Sequence, residues 1–120
     1  MFAVRWPLFF MDEIVVLVTV GSEGEATKIA RILVEKGLAA CVNIIPGIRS
    51  IFQWEGNITE EQEFLLLAKT VKQNFDQLAS AVKASHSYSV PEVIALPIQQ
   101  GSKEYLTWIR SMTKNVNASS

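Results

Sequence analysis

The chain has 120 residues, 49% of them apolar, and its 11 basic and 12 acidic side chains leave a formal net charge of −1. That length makes one domain with its own core, and so even a charge balance excludes the electrostatic footprint needed to hold a nucleic-acid backbone or an anionic membrane surface. The apolar share is high for a soluble domain, so further copies of the chain are expected to cover part of its apolar surface.

Cys41 is the single cysteine, which rules out an intrachain disulfide framework and zinc-finger spacing; a reducing compartment, the cytoplasm, is the expectation. Residues 1–12 open with MFAVRWPLFF, an apolar run too short to span a membrane and interrupted by Pro7. They read as a loosely ordered extension before a domain at 13–113, with a small polar tail at 114–120.

Residues 14–20 form a continuous apolar, β-branched run closed by Gly21, the pattern of a central strand buried on both faces. Ser22 with Glu25 three positions on is a capping box. It opens a helix in which Ala26, Ile29, Ala30, Leu33 and Val34 recur at helical spacing up to Gly37. Residues 38–54 are extended but broken at Pro46-Gly47, which implies an edge position or a bulge, and Ile48, Ser50, Phe52 and Trp54 share one face beyond the break. Gly56-Asn57 reads as a tight turn into a strand over 59–70, whose 64–68 segment is again central. Phe75, Leu78, Ala79 and Val82 mark a second amphipathic helix, a loop covers 86–91, and 93–98 form a short strand. Ser102 caps a last helix with Tyr105, Leu106, Ile109 and Met112 on its apolar side.

This order predicts an α/β (α+β) fold: a ferredoxin-like split βαββαβ sandwich with an antiparallel sheet, a long hairpin between the second and third strands, and an extra C-terminal helix. Right-handed crossovers give the strand order 4-1-3-2, with the proline-bearing second strand at an edge. A hairpin longer than the rest of the sheet overhangs it and offers an apolar ribbon for pairing with another copy.

Several segments carry a family resemblance: 37–47 (GLAACVNIIPG), Trp54-Glu55-Gly56, Glu63 with Lys69-Thr70, His86, Tyr88, Pro91-Glu92 and Leu106-Thr107-Trp108. Over residues 14–112 the sequence resembles the CutA family of divalent-cation tolerance proteins. The resemblance implies a ferredoxin-like subunit, an interlocked homotrimer similar to the PII signalling proteins, and an association with copper and other divalent metals; it implies no established reaction. One departure is visible, because the family usually reads His-Pro-Tyr-Glu where this chain has His86-Ser87-Tyr88-Ser89. Loss of the proline is expected to free the loop, and loss of the carboxylate removes a hard ligand beside the imidazole.

His86 is the one imidazole and so the candidate metal ligand, for an ion such as Cu(II); its alternative is a solvent-facing loop histidine. The predicted topology brings it to one end of the sheet with Glu55, Glu60, Glu61 and Glu63, which either join it as carboxylate partners or solvate the hairpin. Cys41, between small apolar neighbours, reads as an inert thiol, and the topology sets it far from His86 within one subunit, so no nucleophile and base meet. Lys69, at the end of a buried strand, wants a carboxylate, for which Glu63 or Glu92 can serve across a subunit contact. Trp54 and Tyr88 are placed to line an intersubunit pocket. The expectation is therefore a non-enzymatic cytoplasmic homotrimer that requires no cofactor, inserts in no membrane and binds no nucleic acid. It takes a divalent ion weakly at His86, or a small molecule among Trp54, Glu63, Lys69, Tyr88 and Glu92. The alternatives are a scaffold or signalling trimer without a specific metal role and, less favoured, a small hydrolase.

Overall fold

The computed structural model describes residues 12–114; the extension read at 1–12 falls outside it except for Asp12, as does the tail beyond Lys114. The elements are β1 (Glu13–Val20), α1 (Glu23–Glu35), β2 (Cys41–Trp54), β3 (Asn57–Val71), a 3₁₀ turn (Lys72–Asn74), α2 (Phe75–Ser85), β4 (Val93–Pro97) and α3 (Lys103–Met112). Sheet order is β2-β3-β1-β4, the predicted order read from the other edge, and all pairings are antiparallel. This is the split βαββαβ, ferredoxin-like arrangement.

Strand alternation divides the sheet into two unlike faces. Val16, Val18 and Val20 of β1 and Leu66 and Ala68 of β3 point to one side, where they meet Ala26, Ile29 and Leu33 of α1 and Leu78 and Val82 of α2 in the main core. The other face carries Val15, Leu17, Leu65, Leu67 and Lys69, and α3 covers only part of it through Ile109, which is fully buried. The expectation that β1 is buried on both faces is thus met on one: Val15 and Leu17 are half-buried. The apolar stripe of α3 is also less buried than its spacing implies: Ile109 is fully buried, but Tyr105 and Met112 are well exposed. Val34, read as part of the buried face of α1, is exposed as well.

β1 pairs with β3 only over residues 64–71, so residues 57–63 and their β2 partners 48–54 continue past the sheet as a two-stranded ribbon. The described chain is accordingly elongated, 50 × 32 × 24 Å. A register shift between Ile45 and Ile48 places the bulge at Pro46-Gly47, with Gly47 at φ 74°. The turn lies one residue earlier than expected: Trp54 pairs with Asn57, and Glu55 and Gly56 form the loop at φ 50° and 84°. Two positive φ values are what a type I′ hairpin turn requires, since its twist matches that of the flanking strands.

Candidate functional site

The end of the sheet where β1 runs into α1 is closed by the loop that follows α2. His86 is the C-cap of α2, and its side chain is fully buried, so the solvent-facing alternative does not hold. Its Nε2 lies 2.8 Å from the Thr19 carbonyl and its Nδ1 accepts the Tyr88 N–H at 3.0 Å. An acceptor Nδ1 places the ring proton on Nε2, which donates to Thr19. Both nitrogens are therefore occupied, and no lone pair of the ring is directed at solvent.

The carboxylate nearest His86 is Glu25, with Oε2 3.3 Å from Nδ1, and none of the four hairpin acids expected there. Only half of the predicted capping box forms: Ser22 Oγ accepts the Glu25 N–H at 3.2 Å, while the Glu25 side chain turns to Ser87. Glu25 Oε2 accepts the Ser87 N–H at 2.6 Å and Oε1 accepts the Ser87 hydroxyl at 3.0 Å. Serine in place of proline thus does not free this loop. It supplies two donors that a proline lacks, and both are taken up.

Tyr88 carries the loop on to β3, its hydroxyl donating to Glu63 Oε2 at 2.7 Å. Glu63 is 7% exposed although it lies at the root of an exposed ribbon. The phenol packs over Gly21, where a Cβ would come within 3.1 Å of the hydroxyl, so any larger residue in the β1–α1 turn would press on the tip of Tyr88. The Tyr88 phenol is pushed up from its ordinary 10.0 to about 12, first by the hydrogen bond to Glu63, then by burial, then by the charges of Glu63, Glu61 and Glu25. A phenolate here would face the negative charge of those carboxylates.

The remaining expected site residues are strung out rather than gathered. Lys69 shares a face with Glu63 but stands six positions along β3, about 20 Å away at the rise of a strand. Its ammonium donates to Asn43 Oδ1 on β2, and Cys41 lies directly across from it. Trp54 is at the hairpin tip, 61% exposed, and Glu92 is exposed before β4. Glu60 is engaged by Arg49 at 2.6 Å, and Glu55 sits in the turn. Cys41 is beside the Tyr105 phenol, and His86 lies toward the opposite end. No nucleophile–base pair forms between Cys41 and His86. Among the described residues no three His, Cys, Asp or Glu side chains cluster as a cation site. Within one subunit these residues do not fit a bound divalent ion.

The chain is 55% identical over 103 residues to the divalent-cation tolerance protein CutA of Thermus thermophilus, covering 86% of this chain and 99% of that one. To the chloroplastic protein CutA of Arabidopsis thaliana it is 48% identical over 105 residues, which span 88% of this chain but only 58% of the relative. The solved structure of the Thermus protein superposes with a TM-score of 0.83, covering 85% of this chain and 99% of that one. The periplasmic divalent cation tolerance protein CutA of Archaeoglobus fulgidus superposes with a TM-score of 0.82 at 44% identity, over 85% of this chain and 99% of that one. These relatives correct the cytoplasmic expectation. Chloroplastic and periplasmic proteins carry the same domain, so one unpaired cysteine is no guide to compartment. The family model for the CutA1 divalent ion tolerance protein matches residues 14–112, and the chain belongs to that family.

Proposed function

We propose that this protein serves divalent-cation tolerance as a homotrimer, with a weak site for a divalent ion or small ligand completed between subunits at the Glu63–Tyr88 end. The observation that carries this reading is Glu63: a carboxylate 7% exposed, on the sheet face that α3 leaves partly open, where the ribbon departs. The exposed Ile51, Trp54 and Ile58 on that ribbon, with Ile94 and Leu96 on β4, are apolar surface of the kind that assembly buries. A neighbouring ribbon laid against the open face would bring side chains that are remote within one subunit, Trp54, Lys69 and Glu92 among them, towards Glu63. The reading includes no catalytic step and no required cofactor.

Sedimentation velocity at micromolar protein, followed by calorimetric titration with Cu(II) and Zn(II), tests it. The expected result is a trimer with saturable heat that Glu63→Gln abolishes; a monomer, or heat that Glu63→Gln leaves unchanged, overturns it. A second reading, a scaffold or signalling trimer without a specific metal role, is favoured by the occupied nitrogens of His86. It predicts a trimer that takes up neither ion, and His86→Ala that leaves any residual heat unchanged.

A further inference from the structure

Glu25 is more fully committed than its place in the sequence requires. In the first turn of α1 its charge is favourable and its N–H is capped by Ser22, yet neither fact fixes its side chain. That side chain is 14% exposed and reaches across to the loop after α2, with one oxygen on the Ser87 N–H and the other on the Ser87 hydroxyl. Charge-assisted bonds of this kind are the stronger class of hydrogen bond. From there the contacts run on through the Tyr88 N–H to His86 Nδ1, through His86 Nε2 to Thr19, and through the Tyr88 hydroxyl to Glu63. Past Tyr88 the loop moves into solvent, and Val90 is 87% exposed.

We infer that Glu25 is a positioning residue whose carboxylate, by gripping both donors of Ser87, holds the 86–88 loop so that Tyr88 is set against Glu63. The consequence for ligand binding rests on the proposed role of Glu63, but the positioning itself does not. The geometry also names the condition under which Glu25 becomes dispensable. His86 has φ −92° and ψ 144°, the extended backbone that a following proline requires. A proline ring at position 87 would restrict the loop covalently while removing the N–H that Glu25 binds. Hydrogen bonds from Ser87 and a ring at 87 are alternative ways of fixing one loop, and with the ring in place Glu25 keeps only its 3.3 Å approach to His86 Nδ1.

Amide hydrogen exchange of the full chain by NMR tests this, with the Tyr88 N–H as reporter and the Leu66 N–H as a control for the global fold. Glu25→Ala is expected to speed exchange at Tyr88 about tenfold while leaving Leu66 unchanged. Glu25→Gln, which keeps a carbonyl acceptor, should recover part of the protection. Ser87→Pro should keep Tyr88 protected, and adding Glu25→Ala to it should change nothing further. Unchanged Tyr88 exchange in Glu25→Ala overturns the inference, and so does an equal acceleration with and without the proline, which would mean that Glu25 acts through α1 or His86 and not through Ser87. Cu(II) titration of Glu25→Ala separates the two readings: a freed Tyr88 with unaltered copper heat leaves the positioning role standing and removes the ligand role of this end of the sheet.

Discussion

Replacing Tyr88 with phenylalanine removes one hydroxyl from a contact with a nearly buried carboxylate, and the cost should depend on pH in a defined direction. The folded phenol ionises at about 12 and the unfolded one at its ordinary 10.0. A raised folded pKa means the stabilisation is fully present below pH 10 and is lost as pH climbs from 10 to about 12, because the unfolded chain releases its proton first. At about 1.36 kcal/mol per pH unit, the span has a ceiling of about 2.7 kcal/mol. Tyr88 is 38% exposed, so solvent screening brings the expected effect down to about 1 kcal/mol. Urea unfolding of the parent and of Tyr88→Phe, at one fixed protein concentration, should show the parent ahead by about that amount near pH 8 and the gap closing near pH 12. Tyr105 and the lysines are common to both proteins and cancel in the difference. A gap constant over that range, or a Tyr88 phenol that titrates at 10 by ultraviolet absorbance, would refute the reasoning.

Leu66 is fully buried at the centre of the sheet, so Leu66→Ala should cost about 3 kcal/mol in chemical denaturation, with most of the loss in the unfolding rate if the helix face packs late. Glu13 is fully buried and Arg110 is the partner of its Oε2, so Arg110→Ala strands a carboxylate and should cost about 2 kcal/mol, measurable as a lower denaturation midpoint. Gly56→Ala places a Cβ at φ 84° and should cost about 1 kcal/mol in chemical denaturation, without changing the sedimentation coefficient of the native protein.

Much of the fold was legible because the period of the apolar residues changes sharply between 2 and 3.6 along the chain. Residues 14–20, the Ser22 cap and the 64–68 run each had one structural meaning, and Pro46-Gly47 marked its bulge through chemistry that no ladder accepts. The hairpin turn was misplaced by one residue because a type I′ loop needs a positive φ at Glu55, a conformation that no residue pattern announces for glutamate. The site was less legible for a similar reason. Glu25 matched a capping box, which accounted for the residue locally and concealed its contact with a loop some sixty residues away. His86 offers either a metal ligand or a solvent-facing loop histidine in the sequence, whereas its burial follows from a tertiary contact with the end of β1. Glu63, Lys69 and Trp54 are expected to meet across a subunit contact, and within one subunit strand rise does keep them apart along one hairpin.

The ribbon that overhangs the sheet also bears on the order in which the chain folds. Pairing between β2 and β3 spreads outward from a two-residue loop, so each new contact closes only a short segment and can form within microseconds. β1 is different, because its partners on either side, β3 and β4, are both distant in sequence, and it completes the sheet only when two long closures have been made. The hairpin should therefore be an early, local structure and the insertion of β1 the slow event. During that interval the ribbon, with Trp54 near its tip, is already formed and can meet other chains before the domain that carries it is complete.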